Sequence, residues 1–138
     1  ALMVLDYEGS GASESSRDLE AMLDKALAEH WGERAKAIVI DPELDIWMWG
    51  GDVVLSELLR WKRSESIRQW LTAKQFRFRP NGKPERPKEA LETVMPEVQL
   101  RRSSAIYEKI ANRISLAKCS DPAFLRLRDT LRGGFMPT

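Results

Sequence analysis

Ala37-Ile38-Val39-Ile40-Asp41-Pro42-Glu43-Leu44-Asp45-Ile46-Trp47-Met48-Trp49 is the stretch on which the fold turns. It opens with four apolar residues, three of them β-branched, as in a strand covered on both faces within a parallel sheet. Asp41-Pro42 then reads as the end of the strand and the start of a helix. Proline suits the first helical position, and an aspartate before it accepts from a helix N–H. Such a switch projects carboxylates from the carboxyl end of a strand, where open α/β sheets place their sites.

Upstream, Leu2 to Leu5 reads as a second strand ending in Asp6-Tyr7-Glu8-Gly9-Ser10-Gly11. Ser15, with Asp18 three positions on, resembles a capping box. From Arg17, the residues Leu19, Met22, Leu23, Ala26, Leu27 and Trp31 recur at helical spacing and predict a face packed on the sheet, ended by Gly32. Strand, helix and strand make a βαβ unit with a right-handed crossover. Downstream, Asp52 is expected to cap a helix carrying Leu55, Leu58, Leu59 and Trp61, and Ser64 to begin another with Ile67, Trp70 and Leu71. Gln75-Phe76-Arg77-Phe78-Arg79 alternates as an edge strand does, and residues 80–87 read as a surface loop. Lys88 to Met95 predicts a helix ended by Pro96. Ser103 caps the next one, and Asp121-Pro122 starts a last helix with Phe124, Leu127 and Leu131 inward and Gly133-Gly134 at its end. The fold class expected is α/β: a parallel sheet, two strands of it recognisable, with a helical C-terminal half.

At 138 residues the chain is one domain's worth, divided into a βαβ part over 1–50 and a mostly helical part over 51–138. It opens directly inside a strand-like run, so the reading is a fragment with further strands and helices upstream. No apolar run approaches the length of about 18 residues that spans a bilayer. The single cysteine, Cys119, allows no internal disulfide and favours a reducing, cytoplasmic setting. One histidine, His30, and one cysteine argue against a structural zinc site, and Cys119 reads as a packing residue.

The net charge of +1 conceals a split. Residues 1–59 carry 13 acidic and 4 basic side chains, and residues 60–138 carry 8 acidic and 18 basic, balances of −9 and +10. An acidic end suits cations and a basic end polyanions. The alternative is that the two halves complement each other, within one fold or across a dimer.

Both strands end in acid-x-acid, Asp6-Tyr7-Glu8 and Asp41-Pro42-Glu43. Parallel neighbours lie about 4.8 Å apart with their carboxyl ends on one edge. Asp6, Glu8, Asp41 and Glu43 are therefore candidate ligands of one cation. Oxygen-only donors suit Mg²⁺ or Mn²⁺, and such an ion supports phosphodiester chemistry. The local alternatives are that Asp41 caps a helix and Glu43 meets the helix dipole.

Apolar strand, Asp-x-acid, Gly-Ser-Gly, helix, apolar strand and Pro42-Glu43-x-x-x-Trp47 together resemble the Toprim-like domains found with bacterial defence and mobile-element genes. The resemblance covers roughly residues 2–49. In Toprim proteins an Asp-x-Asp after a strand binds Mg²⁺ and an earlier glutamate acts as acid or base. The resemblance implies a metal pair at Asp6 and Glu8, with Glu43 and Trp47 matching the strand end of the defence-associated branch. The pair here is Asp-x-Glu, and no residue of this chain matches the earlier glutamate.

In the basic half, Arg60, Lys62 and Arg63 cluster with Arg68, while Arg77, Arg79, Lys83, Arg86 and Lys88 line the proline loop. Arg101 and Arg102 precede a helix. Neutralising phosphates is the simplest use of such a surplus, and the absence of helix-turn-helix, RNP or KH signatures predicts no strong sequence readout. Of five tryptophans, four fall between positions 47 and 70. Trp47, Trp61 and Trp70 read as core, and Trp49, beside Gly50-Gly51, as the exposed one. The leading expectation is a Toprim-like, Mg²⁺-binding component of a prokaryotic defence or mobile-element system acting on nucleic acid, a metal-dependent nuclease if catalytic. The competing one is a non-catalytic module that docks other subunits of a larger defence complex. A third reading uses Gly9-Ser10-Gly11 to hold a phosphate, without the full P-loop or GxGxxG pattern.

Overall fold

In the computed structural model, which describes residues 1–135, Leu2–Asp6 (β1) and Lys36–Ile40 (β2) form a two-stranded parallel sheet. The connection is the helix Ser16–Trp31 (α1) followed by a short 3₁₀ turn, Gly32–Arg34. Ser15 caps α1 by accepting from the Asp18 amide, and Gly32, at φ 57°, closes it through its own N–H to the Ala28 carbonyl. Five more helices follow: Asp52–Leu58 (α2), Ile67–Ala73 (α3), Pro87–Glu97 (α4), Ser104–Arg113 (α5) and Pro122–Phe135 (α6). The protein is thus α/β and mostly helical. Among the described residues no helix is long and apolar enough to cross a membrane.

The chain forms two compact units. The first is Ala1–Leu44 together with the segment from Ser120 onward, and the second is Asp45–Cys119. In the first unit α1 and α6 both pack on β2, whose Ala37, Ile38, Val39 and Ile40 are at most 2% exposed. Asp121 caps α6 by accepting from the Phe124 amide, as its place before Pro122 suggests. In the second unit Leu55, Leu59, Ile67, Leu71, Leu91 and Ile110, from four helices, centre one core. Ser66 starts α3 with a capping box, its hydroxyl taking the Gln69 amide while Gln69 takes the Ser66 amide.

Several local expectations are corrected. Asp41-Pro42 does not start an α-helix: a cis peptide is followed by a 3₁₀ turn over Leu44–Met48. The inward face of α1 holds Glu20, buried, with Leu23, Asp24 and Leu27 partly so, whereas Met22 and Trp31 are exposed. Asp52 is the first residue of α2 and Gly51 its cap, while α3 starts from Ser66 rather than Ser64. Residues 75–79 form no strand, because their pairing with residues 83–85 stops at a single bridge. Gln75 turns the chain at φ 66°, and only an isolated bridge joins Phe78 to Pro84. Helix α4 runs through Pro96, and α6 continues through Gly133-Gly134. Within α6, Ala123 is buried and Leu131 is exposed. Trp49 is buried, with its indole N–H donating to the Pro87 carbonyl at 3.1 Å.

Candidate functional site

The register sets the acidic edge. Leu2 pairs with Lys36 and Asp6 with Ile40, so the strands end level and each is followed at once by an acidic turn. Backbone pairing continues past the strands, from Tyr7 N to Ile40 O at 2.8 Å and from Glu8 N to Pro42 O at 2.7 Å. Asp6 Oδ1 accepts from the Leu44 amide at 2.8 Å, tying the first turn to the residue after Glu43. Asp6, Glu8, Asp41 and Glu43 therefore occupy one end of one sheet. Asp6 and Glu8 are exposed, and Asp41 and Glu43 are partly buried. The loop between β1 and α1 folds back through Tyr7 OH, which donates to the Glu14 carbonyl at 2.6 Å.

Asp41 and Asp6 already do local work. Ser16 Oγ, at the start of α1, donates to Asp41 Oδ2 at 2.8 Å, so Asp41 holds the helix start rather than capping a helix of its own. Asp6 serves the Leu44 amide through one oxygen. Its other oxygen and the Glu8 carboxylate accept no hydrogen bond from the described residues. No three His, Cys, Asp or Glu side chains among the described residues are arranged as a metal-ligating group. A hard cation that keeps most of its waters asks for less: one or two carboxylates suffice. The chemistry of the donor set, exposed carboxylate oxygens at a strand end, fits Mg²⁺ on that count.

In the second unit the basic residues separate into two classes. Arg63 Nε lies 2.9 Å from Glu97 Oε1, with Glu65 at 3.6 Å and the Trp70 ring centroid 5.7 Å away. The hydrogen bond to Glu97 raises the Arg63 pKa. Arg86 pairs with Glu89 at 2.7 Å and Arg102 with Glu92 at 2.6 Å. Arg60, Lys62, Arg77, Lys83 and Arg101 enter no ion pair among the described residues. Arg77, Arg79 and Lys83 lie on a turn closed by Arg79 N to Lys83 O and Glu85 N to Arg77 O. Arg60, Lys62 and Arg63 instead surround a cavity of about 540 Å³ that also meets Trp61 and Gln99. Elsewhere in this unit Tyr107 OH donates to Asp45 Oδ1 at 2.8 Å. Burial, reinforced by that bond, pushes the phenol up to about 12 and keeps it a proton donor at neutral pH.

One polar group went unnoticed in the sequence. Glu20, 3% exposed on the inward face of α1, accepts from Val39 N and Arg126 Nη2, both at 2.8 Å, and from Arg17. Arg126 Nε sits 2.8 Å from the second Glu20 oxygen but is misaligned for a hydrogen bond. A Glu20/Asp24 pair at i, i+4 among the apolar positions of α1 was the available signal. No family model, curated protein or solved structure matches the chain.

Proposed function

We propose that the protein is a Toprim-like α/β component of a prokaryotic defence or mobile-element system, binding Mg²⁺ at its acidic edge and acting on nucleic acid. The observation that supports this most is the level register of β1 and β2, with Asp6 opposite Ile40, which sets two acidic turns side by side. Asp6 and Glu8 are the residues that would hold the ion, with Asp41 and Glu43 beside them. Bound there, Mg²⁺ would supply charge stabilisation and an acidified water for phosphodiester hydrolysis. Ser16 orients Asp41, and the Leu44 amide orients Asp6, so each carboxylate is held before any ion arrives. Positive side chains of the second unit would carry the phosphates, with affinity set by charge rather than sequence.

A Mg²⁺ or Mn²⁺ titration of thermal stability tests the reading. An ion at about 100 times its Kd adds about 2.7 kcal/mol to the folded state, a rise of several degrees in Tm. The expected outcome is such a rise in the wild type and none in the Asp6→Ala, Glu8→Ala double variant. Equal responses in the two proteins would overturn it. The alternative, a module that docks other subunits without catalysis, is favoured by the local hydrogen bonds that Asp6 and Asp41 already make.

A further inference from the structure

The cavity around Arg60, Lys62 and Arg63 combines size, charge and rigidity in a way the acidic edge does not. Its volume of about 540 Å³ falls within the range of roughly 300–1,000 Å³ that small-ligand sites occupy. It is concave, so a free nucleotide or a flexible single strand reaches into it more readily than the stiff backbone of an intact duplex. Three cations face one carboxylate, Glu97, and Arg63 neutralises that one. Arg60 and Lys62 remain as uncompensated positive charge on the rim.

The walls are held. Trp61 donates its indole N–H to the Glu65 carbonyl at 2.7 Å and meets Trp70 edge-on, with ring centroids 5.3 Å apart. Arg63 is pinned between Glu97, Glu65 and the Trp70 ring. Two helix ends also converge on the cavity. Arg60 follows α2 at φ 54° and Gln99 follows α4 at φ 58°, each in the left-handed region where glycine is the usual choice. Both ends close by paired bonds, Arg60 N to Glu57 O with Trp61 N to Ser56 O, and Gln99 N to Pro96 O with Leu100 N to Met95 O. A long cation and an amide therefore stand where a helix end alone would favour no side chain, and both line the same space.

We propose that this cavity binds a nucleotide phosphate, free or within a single strand, with Arg60 and Lys62 as its anion-binding residues and the Gln99 amide available to the base or sugar. The proposal rests on the nucleic-acid half of the function above and needs neither the metal nor the acidic edge. Arg63 acts as a positioning residue that cancels Glu97.

Trp61 lies at the site, so intrinsic tryptophan fluorescence reports binding. The full chain is titrated in EDTA with ATP, with an oligothymidylate of about ten nucleotides, and with a duplex of the same length. The expected result is a saturable fluorescence change that Arg60→Ala, Lys62→Ala weakens at least about tenfold, while Lys25→Ala, Arg132→Ala, exposed positions of the first unit, shifts affinity by less than about twofold. Response to the oligothymidylate and not to ATP assigns the phosphate to a strand, and the reverse to a free nucleotide; either supports the site. No fluorescence change, unchanged affinity in the Arg60/Lys62 variant, or duplex binding as tight as single-strand binding overturns it. If the double variant does not fold, Lys62→Glu at an exposed position carries the same test. Because EDTA removes divalent ions, loss of binding here and loss of Mg²⁺ stabilisation at Asp6 and Glu8 are separate results.

Discussion

The two strands of the sheet are alike in sequence and opposite in surroundings. Leu2-Met3-Val4-Leu5 and Ala37-Ile38-Val39-Ile40 are both uniformly apolar, yet Leu2, Met3 and Val4 are 40%, 40% and 44% exposed while β2 is sealed. The difference comes from the helices: α1 and α6 both pack on β2. The strands' outer edges differ as well. Asp24 Oδ1 accepts from Ala37 N at 2.6 Å and Glu20 Oε2 from Val39 N at 2.8 Å, while Arg126 Nη2 reaches the Val39 carbonyl at 3.4 Å. Side chains thus occupy the backbone groups of β2 that a further strand would take, and the sheet is closed on that side. On β1 the odd-numbered residues face β2, as the bonds from Lys36 N to Ala1 O and from Tyr7 N to Ile40 O show. The backbone groups of Leu2, Val4 and Asp6 point the other way, so the sheet can extend only from β1.

The largest test of this contrast is Ile38→Ala against Val4→Ala. Ile38 is fully buried, and its truncation is expected to cost about 4 kcal/mol in urea unfolding, as large-to-small core changes do. Next comes Glu20→Ala, which leaves the Arg126 guanidinium and the Val39 amide without their acceptor. A loss of about 3 kcal/mol is expected, discounted for the partial exposure of Arg126; a loss below about 1 kcal/mol would mean that water closes this edge as well as the carboxylate does. Smallest is Val4→Ala, expected below about 1 kcal/mol because little surface is buried there. A larger effect at Val4 would show that β1 is covered in solution and would erase the contrast.

What was legible in advance was local. Ser15, Ser103 and Asp121 each cap the helix that follows, because a cap depends on residues three positions apart. The β-branched run of β2 announced a sealed strand, and the paired acidic strand ends followed from parallel pairing alone. The candidate edge of Asp6, Glu8, Asp41 and Glu43 was therefore located by sequence, but the local partners of Asp6 and Asp41 were not, since Leu44 and Ser16 are distant in the chain. Trp49 was misplaced for a similar reason: its glycine neighbours suggested exposure, while the carbonyl of Pro87 gives its indole N–H a buried partner. The Arg60–Gln99 cavity was legible only as a run of positive charge.

By itself the sequence determined the βαβ order, the parallel pairing, the starts of several helices and the separation of acidic from basic halves. Each of these is written in spacing, caps or composition within a few residues. Only the tertiary structure decided which apolar strand is sealed, that α6 returns to cover β2, and that Glu20 meets Arg126 across the length of the chain. The physical reason is that burial belongs to pairs of surfaces. A strand's own residues state that it can be covered, and the elements arriving from elsewhere in the chain settle whether it is.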